Sequence, residues 1–200
     1  LSSFLPFLIR SREFSASSPQ PMVRIIMTNA SNFVTLEDIP KLKAYGIVAS
    51  MQPEHIALTE SYKDNPYPVR SGKKREKYLW AIQTIMKTGT NVCFGSDYPV
   101  VDIDPFLGIY RSVTRLHNDG TPEGGWNPQE KLTVQEALRA YTYGSAYALG
   151  REEELGTLEA GKYADIVVLD KNLLTVPPER IRGTKSILTM INGKVVFEEE

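Results

Sequence analysis

Two hundred residues make one ordinary domain to one and a half. The hydrophobic share of 42% and the charged share of 24% are globular values and exclude a disordered chain. Lys and Arg (23) nearly cancel Asp and Glu (24), which leaves no field for nucleic acid or an anionic membrane. The single cysteine, Cys93, excludes an internal disulfide framework and suits a reducing, cytoplasmic setting. No stretch approaches the roughly 20 apolar residues that span a bilayer, so we expect neither a nucleic-acid nor a membrane partner.

The chain reads as three zones. Residues 1–32 form an atypical head, rich in Ser and Pro and without a sustained period. Its opening, LSSFLPFLIRSREFSASS, is a poor signal or transit peptide, because Pro6 interrupts the apolar block and the arginines follow it. Residues 33–150 alternate helix and strand signals. Thr35-Leu-Glu-Asp38 predicts a helix start, Ile39, Leu42 and Lys43 continue it, and Gly46 ends it. Ile47–Met51 predicts a short buried strand, followed by a polar loop holding Pro53, Pro66 and Pro68. Lys74–Lys87 predicts a helix with Tyr78, Ile82, Ile85 and Met86 on one face, closed by Gly89. Asn91–Phe94 predicts the next strand. Helices follow over Phe106–Leu116 and Thr133–Leu149, the latter opened by the capping box Thr133-Val-Gln-Glu136. This alternation predicts a parallel sheet. Residues 151–200 read as β, with Ala164–Asp170, Ser186–Ile191 and Lys194–Phe197 as strands and Asn192-Gly193 as a hairpin turn.

Both predicted strands of the middle zone run into polar residues at their C-terminal ends, Gln52-Pro-Glu-His55 and Gly-Ser-Asp97. Parallel α/β sheets build their sites on that side. A carboxylate held there by a rigid strand can do acid–base work, although Asp97 can equally cap the following turn. Other residues are expected to be structural: Cys93 and Trp80 as packing, Arg111, Arg115 and His117 as solvated surface, Asp102 and Asp104 as turn formers, and Asp165 as a β-zone support.

Four stretches carry a resemblance: LEDIPKLKAYGIVASMQPEH, GTNVCFGSDYPV, LTVQEALRAYTYGSAYALG and GTLEAGKYADIVVLDKNLLTVPPERI with TMINGKVVF. In this order and spacing they resemble the C-terminal part of amidohydrolase family 3, the branch with N-substituted formamide deformylases. The resemblance implies an α/β fold: the C-terminal part of a metal-dependent hydrolase (β/α)8 barrel, with part of a small composite β-sandwich. It makes Ile47–Met51 the seventh barrel strand and Asn91–Gly95 the eighth. It implies that Asp97 is a metal ligand and the catalytic acid/base, and that His55 and Tyr98 line the pocket for a small amide or formamide. It implies a divalent metal, zinc, in the full-length enzyme.

This sequence departs from the family where the other ligands belong. Only two histidines are present, and the sixth-strand segment reads VRIIMTNASN with neither histidine nor acid. Codons for Met27–Asn32 read one base earlier are compatible with His-Asp-Lys-Arg-Ile-Glu, a family-like run. A complete barrel needs about 250 residues and eight closed strands. The expectation is therefore a fragment that is inactive alone and does not retain the metal, completed by a complementing N-terminal half or by homodimerisation. The alternative is a non-catalytic α/β remnant that packs only with a complementing chain.

Overall fold

The computed structural model describes residues 24–28, 35 and 37–199. Most of the atypical head lies outside the described residues, as do residues 29–32 of the Met27–Asn32 segment with its alternative reading frame.

A parallel three-stranded sheet forms the first layer. Its order is β1 (Ile26–Thr28), β2 (Val48–Met51), β3 (Val92–Phe94). Ile26 stands opposite Val48, Ala49 opposite Val92, and Met51 opposite Phe94. Two strands were expected in this sheet; the third, β1, comes from the segment set apart as the head. Val48, Ala49 and Met51 are fully buried and Val92, Cys93 and Phe94 nearly so, as befits parallel strands covered on both faces.

Helix α1 (Ile39–Ala44) lies between β1 and β2. Thr35 does not cap it directly. Its hydroxyl donates to Asp38, which is the N-cap residue, and the helix buries Ile39 and Leu42. Gly46 ends it with φ +64. The expected polar loop after β2 instead holds two 3-10 turns, Pro53–Ala57 and Tyr62–Asp64, and a helix α2 (Pro66–Ser71). Pro66 sits at the first helical position, where its missing N–H costs nothing, and the Asn65 side chain caps the Tyr67 N–H.

The long helix expected over Lys74–Lys87 is two pieces, α3 (Lys73–Glu76) and α4 (Ile82–Lys87). The break falls at Trp80, which adopts φ +50 and is 1% exposed. The carbonyls of Leu79 and Trp80 leave the helical ladder and accept from the Arg115 guanidinium. Arg115 was expected on a solvated face, as was Arg111; both are 0% exposed. Helical periodicity in the sequence does not register a buried guanidinium that competes for main-chain oxygens.

Helix α5 (Pro105–Thr114) is capped by Asp104, which accepts from the Phe106 N–H. The last predicted helix is split as well, into α6 (Val134–Arg139), a π-helical turn (Ala140–Gly144) and α7 (Ser145–Ala148). Its capping box forms as expected. The π turn brings Gly144 onto β3, where an added Cβ would stand 2.1 Å from the Val92 carbonyl oxygen.

The C-terminal zone is an antiparallel sheet of β4 (Ile166–Leu169), β5 (Ser186–Ile191) and β6 (Lys194–Glu198). Asn192 (φ +49) and Gly193 (φ +75) make the hairpin turn that their sequence announces. Asp165 supports it by accepting from the Asn192 N–H at 2.7 Å. Leu173 and Ile181, in the connection between β4 and β5, reach back into the main hydrophobic core. At the other end, the Arg24 guanidinium lies 3.6 Å over the Tyr147 ring and donates to Glu152, joining the entry of β1 to the chain leaving α7.

Candidate functional site

β2 and β3 run parallel, so their C-terminal ends meet at one edge, where the Gly95 N–H donates to the Met51 carbonyl at 3.2 Å. Phe94 packs edge-on against Tyr141 of the helical layer, with ring centroids 5.3 Å apart. Because strand residues alternate faces, Cys93 and its cross-strand partner Ser50 point away from the helices. Gln52, two residues beyond Ser50, continues that face, and its Nε2 donates to Ser50 Oγ at 3.4 Å.

Asp97 leaves β3 through Gly95 and Ser96 in the left-handed region, at φ +63. The Val100 N–H donates back to the Asp97 carbonyl at 2.9 Å across a cis Tyr98–Pro99 bond, forming a type VI turn. The turn presents the Asp97 carboxylate at the exposed surface of the edge. Tyr98 is 67% exposed and turns its ring to solvent.

His55 sits in the 3-10 turn after β2 and is half-buried. Its Nε2 is buried without a hydrogen-bond partner. Burial lowers its pKa below the ordinary histidine value, while the Asp97 charge and a bond to the Ser96 backbone oppose that shift. Imidazole and carboxylate are thus electrostatic neighbours on one rim, and the imidazole is held toward its neutral form.

The turn that carries His55 is pinned from three directions. Arg111 on α5 grips Glu54 with two bonds, Nε to Oε2 at 3.1 Å and a terminal nitrogen to Oε1 at 3.2 Å. The indole of Trp80 donates to the Gln52 carbonyl. Asn65 donates to the Ile56 carbonyl and, through the same nitrogen, to His117 Nε2. His117, expected at the surface, is 0% exposed; its Nδ1 bonds the Thr121 carbonyl and its Nε2 is the acceptor for Asn65. Burial raises the Glu54 pKa against the pull of Arg111. Sequence reasoning missed this scaffold. Its only legible trace was the spacing of Arg111 and Arg115 by one helical turn.

Among the described residues, no group of three or more His, Cys, Asp or Glu side chains could hold a metal ion. Asp97 with His55 falls short of the three or four ligands of a divalent site. The described residues therefore do not by themselves fit a bound metal, and we assign no chemical step to one. No helix among them is long and apolar enough to cross a membrane.

Comparison with known proteins gives a consistent result. A model of the amidohydrolase family matches residues 16–197. The amidohydrolase YtcJ of Bacillus subtilis (strain 168) is 32% identical over 154 residues, 76% of this chain and 28% of that protein. The N-substituted formamide deformylase of Arthrobacter pascens is 32% identical over 120 residues, 60% of this chain and 22% of that enzyme. Among solved structures, an uncharacterised metal-dependent hydrolase from Pyrococcus horikoshii OT3 superposes with a TM-score of 0.66 at 27% identity, covering 77% of this chain and 30% of that one. The fold is that of the C-terminal part of a (β/α)8 barrel of metal-dependent hydrolases, joined to part of a smaller β domain. The chain spans under a third of the length of these relatives.

Proposed function

The chain belongs to the amidohydrolase family, and we propose that it supplies the C-terminal part of a metal-dependent hydrolase of non-peptide carbon–nitrogen bonds. The substrate is a small amide or formamide, the class named for the Arthrobacter relative. The observation that carries this reading is the shared edge: parallel β2 and β3 deliver His55 and Asp97 to one rim. Residues 33–150 then act as the last βα units of the barrel and 151–200 as the composite β segment, while the atypical head, 1–32, adds β1 to the sheet and lies within the family match from residue 16. A single cysteine, Cys93, supports a cytoplasmic setting.

In this reading Asp97 is the acid/base and would contribute one ligand to a divalent metal, zinc, completed by residues outside this set. Such a metal would lower the pKa of the attacking water. Asp97 takes the proton of the attacking water and returns it to the departing nitrogen. An aspartate on a turn, exposed at the rim, can serve both partners without a change of backbone. His55, kept toward neutrality, accepts or donates one hydrogen bond to the substrate. Tyr98, exposed on the same turn as Asp97, lines the pocket when the missing strands are present.

The test compares the 200 residues alone with the same residues completed by a segment carrying the missing strands. The completed protein is expected to bind zinc stoichiometrically and to hydrolyse an N-substituted formamide. Asp97→Asn should lower its kcat by at least about 100-fold, the scale of lost acid–base catalysis. The 200 residues alone should show neither activity nor bound zinc. Turnover by the 200 residues alone, or full activity of Asp97→Asn, would overturn the reading.

A second reading draws on the exposed apolar side chains of β6, Val195, Val196 and Phe197, each more than 40% exposed. On it the chain is a non-catalytic remnant that packs against a complementing chain or a second copy. Failure of every completed protein to turn over an amide, together with a stable complex, would favour it.

A further inference from the structure

A second polar atom is stranded beside His55. Gln52 is 7% exposed, yet its Oε1 has no hydrogen-bond partner. A buried amide oxygen without a donor costs about 1–3 kcal/mol. Structure alone gives no return for that cost, since a methionine would fill the same space. The orientation of the amide is fixed by its other end. Nε2 donates to Ser50 Oγ at 3.4 Å. That bond leaves the buried Oε1 as an acceptor without a donor. The face is also fixed. Ser50, Gln52 and Cys93 lie opposite the Phe94–Tyr141 contact, on the side away from the helices and at the same strand ends as Asp97.

We propose that Gln52 is a specificity-determining residue whose Oε1 accepts a hydrogen bond from the N–H of a secondary amide or formamide substrate. The assignment rests on the hydrolase reading above and deepens it by naming which amides are taken. A substrate with a hydrogen on the scissile nitrogen satisfies the stranded oxygen. An N,N-disubstituted analogue leaves it unpaired, and such a mismatch discriminates strongly.

The experiment uses the completed protein and two probes, an N-monosubstituted formamide and its N-methylated, N,N-disubstituted counterpart. Gln52→Met keeps the shape of the side chain and removes the acceptor. It is expected to lower kcat/KM for the first probe by about 10- to 100-fold and to leave the second within about 2-fold. Gln52→Glu, which retains an acceptor, should recover most of the first value. Because the ratio is read on one preparation, partial misfolding changes both probes alike. Thermal stability is a second readout: removing a stranded polar atom should hold or raise the Tm, whereas a structural glutamine would lower it. Equal loss on both probes, no loss on either, or a lowered Tm with an unchanged ratio overturns the assignment of Gln52 alone. Absence of turnover of both probes by the unsubstituted protein overturns the hydrolase reading and this assignment with it.

Discussion

In the parallel sheet, Val48, Ala49 and Met51 are 0% exposed, whereas every residue of β6 from Lys194 to Glu198 is exposed. Both sheets have three strands and both are rich in Val and Ile. The difference lies in what the chain places after each strand. β1 and β2 are each followed by helices that return over the sheet, so α1 and α4 contribute Ile39, Leu42, Ile82 and Ile85 to its cover. β5 and β6 are joined by a two-residue turn and bring no cover with them. An apolar strand pattern thus reports that a face wants burial, while the connections decide whether the same chain provides it.

The largest way to break the comparison is at Arg115. Its guanidinium serves the carbonyls of Leu79, Trp80 and Trp126 with no exposure to solvent. Arg115→Leu strands the Trp126 carbonyl, leaves those of Trp80 and Leu79 with only the Ile82 N–H and the Asn127 amide, and should cost about 4 kcal/mol in urea denaturation. Hydrogen exchange should show the loss in the parallel sheet.

Arg111→Met leaves Glu54 buried and unpaired, at a cost of about 3 kcal/mol. Adding Glu54→Gln should restore much of it. A double-mutant cycle showing no coupling would remove the pair from the scaffold of the His55 turn.

Gly144→Ala drives a Cβ into the Val92 carbonyl. Unfolding measurements should record a loss of about 1–3 kcal/mol, the range for overpacking.

A pH titration sharpens the contrast further. Burial lowers the pKa of His117, with Arg111 acting in the same direction and the Thr121 carbonyl opposing. Its Nε2 must remain an acceptor, because Asn65 presents an N–H there while its Oδ1 is committed to the Tyr67 N–H. The folded state therefore binds this proton less readily than the unfolded state. The stability that neutral His117 contributes is complete above the ordinary histidine pKa near 6.5 and is lost as pH falls through the lower folded value. Urea midpoints measured from pH 7 to pH 5 should fall, and His117→Gln should flatten that fall.

The smallest effect is expected in the open sheet. Val196→Thr and Phe197→Thr should change stability by no more than about 0.5 kcal/mol. They should nevertheless reduce binding of an apolar dye, since they remove exposed hydrocarbon. A large loss of stability in either variant would mean that β6 is already packed.

Much of this was legible in the sequence because short-range rules govern it. The Asn192-Gly193 turn, the capping box at Thr133 and Glu136, and the two strands flanked by polar ends need only neighbouring residues. So does the joint placement of His55 and Asp97, since parallel strands end on the same side. The interruptions at Trp80 and Ala140–Gly144 were not legible. Each is set by a partner more than 30 residues distant, Arg115 in the first case and β3 in the second. Gln52 belongs to the polar run Gln52-Pro-Glu-His55 that the sequence places at the strand end, but its stranded oxygen exists only once the neighbours are in place.

The grip of Arg24 on Tyr147 and Glu152 has a mechanical consequence. It joins points 128 residues apart in sequence, at the two places where the chain enters and leaves the helix-covered layer. Tension applied between those points would load this contact ahead of the three parallel strands. In an optical trap, an early low-force rip that vanishes in Glu152→Gln would be its signature, and the rest of the layer would yield later as a separate event.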